Sequence, residues 1–415
     1  MQPSTRFIAL ANINLRRFLT GQAISLTGTW MQSVAQGWLV YTLTRSPLSL
    51  GLVAVALSAP VLLFSLFGGV IADKIDRRRL LIMTQTLSIV PALLLAILTL
   101  SEQITVGWIM GLAFLLGTIN AVELPARQAF LADLVSRTEL TSAVTLHSVV
   151  FNAARIIGPI LAGFTIAVTG LSVCFMINAL SFLAGISSLL LMPHQTSASI
   201  ATNVPSSMLN GLREGVRYVA GERQISLIML LVAVISLFGI PFVPMLPVFA
   251  DGILKVGPEG LGLLAGASGF GSLLAALLVA WQRDINKKGR LMVAAGLLFA
   301  GCLFLFAHTD DYQAALLALL FSGAGMVCFL AMISCHLQHH CPDILRGRVM
   351  GVYTLVLIGM APFGHALMGL LAGAIGVSAA LSFGSAICGG AILVSARPLF
   401  RSEERRVGKE CRSRW

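Results

Sequence analysis

Arg155 stands some 14 residues inside the apolar stretch 141–168, too deep for its side chain to reach either end. A cation so placed must face water, a substrate or a structural partner. Apart from acids at the very start of two stretches, Glu123 is the sole acid inside any apolar stretch, and it precedes Arg127 by four residues. It is either a proton-carrying carboxylate or half of an i,i+4 ion pair. Asp73 ends another stretch and is followed by Lys74, Arg77, Arg78 and Arg79. An anion among cations at helix ends suits contacts that hold in one conformation and break in another, and Arg77 is expected to pair with Glu123. The alternative is that the arginines only set membrane orientation.

Uncharged polar residues extend the set. Asn120, Asn152, Asn178, Gln32 and Gln36 either line a polar cavity or tie helices together. Trp30, Met31 and Trp38 suit an adaptable aromatic site for a bulky organic molecule. Gly158-Pro159, with Gly163 beyond, is expected to interrupt its stretch and bend the cavity wall, or else simply to pack. Pro241, Pro244 and Pro247 mark a broken helix. His365 reads as a packing histidine. His336 and His340 sit one turn apart, but no matching pair follows, so no metal site is expected. Seven scattered cysteines give no disulfide framework. No G-x-x-x-x-G-K-[ST] loop, Ser-His-Asp set or Gly-rich cofactor loop occurs, which argues against ATP drive, a cofactor and an enzyme.

The elements that must position these residues are membrane helices. Of 415 residues, 57% are hydrophobic and 11% charged, against about a quarter charged in a soluble domain. Span-length apolar stretches number twelve: 15–41, 49–72, 80–100, 105–127, 141–168, 171–192, 225–250, 258–281, 290–308, 311–335, 348–372 and 375–396. Runs such as Leu93 to Leu98 do not alternate, which excludes a β-barrel. With a cytoplasmic N-terminus, all but three of the 28 Lys and Arg fall on the cytoplasmic side; Arg45 and Lys255 lie outside and Arg155 within a span. This bias puts both termini in the cytoplasm. The net charge of +11 is therefore a topology signal, and no nucleic-acid partner is implied.

The longest polar interval divides the chain into a six-helix bundle (1–192), a linker (193–224) and a second six-helix bundle (225–396). Within the linker, the apolar spacing at 208, 209, 212, 216 and 219 predicts an amphipathic helix on the membrane surface. The segment 73–79 is echoed at 284–290, as expected of two pseudo-symmetric halves around a midplane site. A basic tail follows (397–415), of which 401–415 reads as translated adapter sequence rather than a native cytoplasmic tail.

Gly69-Val70-Ile71-Ala72-Asp73-Lys74-Ile75-Asp76-Arg77-Arg78 resembles the G-x-x-x-D-[RK]-x-G-R-[RK] signature of the major facilitator superfamily, with Asp76 in place of a glycine. Gly158-Pro159-Ile160-Leu161-Ala162-Gly163 resembles the core of its exporter signature, with Ala154 where an upstream glycine would stand. Residues 28–32, 36–41, 125–129 and 346–350 are similar to the subgroup of drug and siderophore exporters. The resemblance implies an all-α fold of twelve transmembrane helices in two bundles. It further implies a gate at Asp73 that engages the eleventh span, and proton-driven export of a siderophore or drug from the inner membrane by a monomer. A symporter of a small nutrient, or a non-transporting sensor, shares the fold. The lipid bilayer, an organic substrate and protons are the expected partners.

Overall fold

The computed structural model describes residues 11–136, 138–193, 208–281 and 288–412. Among them every regular element is helical. In order they are α1 (Ile13–Thr44), α2 (Pro47–Lys74), α3 (Arg77–Leu100), α4 (Val106–Asp133), α5 (Leu140–Thr169), α6 (Leu171–Leu190), α7 (Met208–Gly221), α8 (Arg223–Ile253), α9 (Gly257–Trp281), α10 (Lys288–His308), α11 (Tyr312–His340), α12 (Asp343–Gly359), α13 (Ala361–Ile375) and α14 (Val377–Arg412). Eleven spans are long and apolar enough to cross a membrane, with α12 and α13 forming one of them. The twelfth, α1, is long enough at 32 residues but more polar, because it buries Gln22, Ser25, Gln32 and Gln36.

The helices start where short loops supply caps. The side chains of Asn12, Ser46, Asp76, Thr105 and Asp311 each accept a bond from a first-turn backbone N–H, and Pro47 stands at a helix start. Each such cap contributes about 1 kcal/mol. Large apolar side chains such as Phe67, Phe164 and Leu278 point outward, as a hydrocarbon solvent permits. α8 carries the three prolines and breaks into π and 3-10 turns over Ile235–Ile253, as their missing N–H groups require.

Contacts divide the chain into two units. The first comprises Met1–Ile200 with Leu246–Gly269, and the second Ala201–Met245 with Phe270–Trp415. The segment from the end of α8 to the middle of α9 thus groups with the first six helices. In the first unit α2 packs on α4, α1 on α5 and α6, and α3 on α6. An apolar cluster including Leu15, Phe18, Leu81, Ala126, Phe130 and Leu189 closes the end where α2 meets α3. In the second unit α10 packs on α11 and α14. The linker helix α7 lies along α12, where Glu214 pairs with Arg348. Residues 284–287 of the expected repeat and most of the 193–207 linker lie outside the described residues. For 397–412 only the helical backbone is described.

Candidate functional site

The charged cluster is built on the turn from α2 to α3. Asp76 caps α3 through the Arg79 N–H at 2.8 Å, which places Arg77 on the first turn. The Arg77 guanidinium then lies 3.8 Å from Asp73 and donates to Asp133 at 2.6 Å. The expected Arg77–Glu123 pair is therefore not formed. Glu123 lies ten residues up α4 from Asp133, about 15 Å along the axis, beyond reach of a side chain at the loop. Arg78 donates from Nε to the Leu189 carbonyl (2.9 Å) and from Nη2 to that of Leu190 (3.2 Å), while Arg17 reaches Leu191 (2.7 Å). Both cations thus bond the last carbonyls of α6, at the negative end of its dipole. Asp73 and Lys74 are exposed.

Gly69 of the motif has open space around it, whereas a Cβ on neighbouring Gly68 would meet the Ala121 carbonyl and lie 3.0 Å from the Val122 Cα. On the α2 side it is thus Gly68 that lets α2 touch α4, as Gly117 does from α4 against the Leu57 carbonyl.

Deeper in the first unit, Glu123 is 2% exposed and paired with Arg127. His147 on α5 stacks 6.5 Å from the Phe18 ring. Sequence reasoning passed over His147, although it is an imidazole in an otherwise apolar stretch.

At mid-length, α5 is held on two sides. A Cβ on Gly158 would stand 2.6 Å from the Trp30 Cβ and 2.7 Å from the Thr27 carbonyl of α1. Gly163 faces the Pro258 carbonyl and the Glu259 Cα (3.0 Å), and Gly262 faces the Pro159 carbonyl. The helix runs on through Gly158-Pro159, α5 being one element of 30 residues with the proline inside it. Pro159 has no N–H to offer the Arg155 carbonyl four residues back. That carbonyl lies 3.1 Å from the place of a Cβ on Gly269, so the backbone of α9 approaches α5 closely at this point.

The polar candidates separate. Asn178 donates to Gln32 at 2.7 Å, with both buried, and Gln36 is 8% exposed. In this structure Gln32 ties α1 to α6, and both glutamines are buried. Asn120, Asn152 and Arg155 are half-buried, and Asn152 donates to the Ser148 carbonyl of its own helix (2.8 Å). Trp30 is half-buried with its ring edge-on to Phe151 at 5.8 Å. Phe151, Asn152 and Arg155 share one face of α5 by their spacing. Elsewhere His336 and His340 stack at 3.8 Å, and among the described residues no three His, Cys, Asp or Glu gather. Burial pushes the Cys341 thiol up from its usual range, although Arg346 works against it.

Residues 4–410 match the model of the transmembrane secretion effector family. The chain is 27% identical to the staphyloferrin A transporter of Staphylococcus aureus, over 87% of this chain and 90% of that protein. It is 26% identical to the multidrug efflux pump Tap of Mycolicibacterium fortuitum, over 85% and 87%. The structure superposes on a D-xylose–proton symporter with a TM-score of 0.74 at 15% identity, covering 94% of this chain and 97% of that one. The chain therefore belongs to the transmembrane secretion effectors of the major facilitator superfamily, and is a multi-pass membrane transporter of a small substrate rather than an enzyme.

Proposed function

We propose that this transporter exports a bulky organic molecule, a siderophore or a drug, across the plasma membrane in exchange for protons. It acts as a monomer by alternating access, with both termini cytoplasmic and no cofactor. The observation that carries the reading is that relatives named as a siderophore transporter and as a multidrug efflux pump each align with more than four-fifths of the chain. Local chemistry supports it. Trp30 and Phe151 offer aromatic surface beside the Arg155 cation and the Asn152 amide, with Asn120 on α4, a combination that suits a large aromatic or anionic solute. Asp73, Lys74 and Arg77 at the α2–α3 turn form the cytoplasmic gate, as exposed groups able to exchange partners. The concentration of Lys and Arg on one side supports the orientation.

Everted membrane vesicles containing the full chain test this reading. With an imposed pH gradient they are expected to accumulate ethidium or a catecholate siderophore, and Arg155→Ala is expected to reduce the rate while the protein still folds. Absence of gradient-dependent movement overturns proton exchange; full transport by Arg155→Ala removes that residue from the site.

A further inference from the structure

We propose that the exposed face of α7, carrying Arg213, Val216, Arg217 and Ala220, is a docking surface for anionic phospholipid headgroups. The inference does not depend on what the transporter carries. It starts from the depth at which α7 is held. Only Glu222 separates its last residue, Gly221, from Arg223, where the α8 span begins. The Ser226 hydroxyl on the first turn of α8 donates to the Val219 carbonyl at 2.5 Å, and the Glu222 N–H donates to that of Tyr218 at 3.1 Å. The two helices are thus tied at their junction. On the side of α12, a Cβ on Gly215 would stand 3.0 Å from the Arg348 carbonyl and 3.1 Å from the Val352 side chain. Arg348 is three residues past Leu345, where that span begins, or about 4.5 Å along the axis. α7 is therefore anchored at two points on the level where spans enter the lipid, which is the headgroup layer.

The helix presents two different faces. Gly215 packs on α12, and Val219, one turn on, shares its side and is buried with it. Val216 is 48% exposed, and Arg213, Arg217 and Ala220 are exposed beside it. Their spacing of three and four residues puts these four on one face. Among the described residues neither arginine has an ion-pair or hydrogen-bond partner. Of the apolar positions expected on the membrane side, Val219 therefore turns to protein and Val216 away from it. The side chains at 208, 209 and 212 lie outside the described residues.

The chemistry of the exposed face selects its occupant. An apolar side chain between two unpaired guanidiniums suits a layer that offers phosphate oxygens with hydrocarbon just below them. Val216 meets the acyl boundary, and the arginine stems lie along it with their heads at the phosphates. A headgroup layer without net charge lacks the negative surface potential that attracts the two cations. The carboxylates of this segment do not oppose the contact. Glu214 is held by Arg348, and Glu222 stands about 120° round the helix from Val216 by its spacing.

Amide hydrogen exchange of the purified full chain in nanodiscs tests the surface. Discs of phosphatidylcholine alone are set against discs of phosphatidylcholine and phosphatidylglycerol in equal parts. One basic residue near an anionic surface strengthens attachment about fivefold, so with two arginines the α7 amides are expected to exchange about twentyfold more slowly in the charged discs. The difference is expected to vanish in Arg213→Gln/Arg217→Gln, to survive in Arg213→Lys/Arg217→Lys, and to shrink as salt is raised. Glu214→Gln, which frees α7 from Arg348, is expected to speed exchange in both discs and leave their ratio in place. Equal exchange of α7 in the two discs, a slowing that survives Arg213→Gln/Arg217→Gln, or one spread evenly over every helix end overturns the proposal.

Discussion

The first unit is held in two different ways at two places. Where α5 crosses α1 and meets the start of α9, the contacts are made by glycines and backbone carbonyls, with Gly158 against Thr27 and Trp30 and Gly262 against Pro159. At the α2–α3 turn they are made by long charged side chains, Arg77 to Asp133 and Arg78 to the end of α6. A backbone seam has no rotamers to relax and responds steeply to added volume. Charged side chains at a loop swap partners cheaply and are screened by salt. The seam thus sets how closely these helices can lie, while the turn can change partners without repacking.

The contrast breaks most readily at the seam. Gly158→Leu places a branched side chain where a Cβ alone would come within 2.7 Å of the Thr27 carbonyl, and overpacking of this kind costs about 1–3 kcal/mol. The melting temperature of the purified protein is expected to fall, and gradient-driven ethidium movement to slow with it. A variant that melts and transports like the wild type would show that α5 and α1 are not constrained here.

Next in size is a paired test on α2. Gly68→Leu pushes into the Ala121 backbone and is expected to destabilise within the same range of about 1–3 kcal/mol. Gly69→Leu adds a side chain where nothing lies within 4 Å and is expected to change the melting temperature little. The reverse order would mean that the motif glycine, and not its neighbour, sets the α2–α4 approach.

Smaller again, Arg78→Ala removes a guanidinium from the Leu189 and Leu190 carbonyls. Bonds to a charged donor contribute about 1.5–3 kcal/mol when buried, and solvent lowers this to about 1 kcal/mol for a partly exposed group. Arg78→Lys should recover only part, because an ammonium lacks the planar fork that spans two carbonyls. Melting in detergent reads both changes; equal loss in the two variants would show that geometry, not charge alone, holds α6.

Much of this was legible in the sequence, for physical reasons that also explain the rest. Span length and apolarity depend on the lipid solvent alone, so the helices could be counted before any packing was known. The breaks in α8 follow from prolines that lack an N–H. Pairing depends on how each helix is rotated, and there the sequence misled. Arg77 lies beside Glu123 only if the axial distance from Glu123 to Asp133 is ignored. Gly68 and Gly69 differ only in which one faces Ala121. The approach of the Gly269 backbone to α5 beside Pro159 is invisible along the chain. Gln32 and Asn178 are 146 residues apart, and only the approach of α1 to α6 makes them partners. His147 was within reach of reasoning, as an ionisable group in an apolar span.

The smallest effect tests the charged turn itself. Arg77 and Asp133 have side chains 31% and 28% exposed, so their coupling is expected to be about 0.2–1 kcal/mol in a double-mutant cycle of Arg77→Ala and Asp133→Ala. Raising the salt from low to physiological and beyond should shrink it, since the screening length contracts from about 30 Å at 0.01 M to about 8 Å at 0.15 M. The seam variants carry no charge change, and their melting shifts should be insensitive to the same salt series. Asp73, already within 3.8 Å of the same guanidinium, is the ready alternative partner. Asp133→Asn alone should therefore cost less than Arg77→Ala, because the cation keeps one carboxylate while either carboxylate loses its only shared cation. If Asp133→Asn cost as much as Arg77→Ala and salt changed neither, the turn would be as rigid as the seam, and a gate that works by exchanging partners there would be excluded.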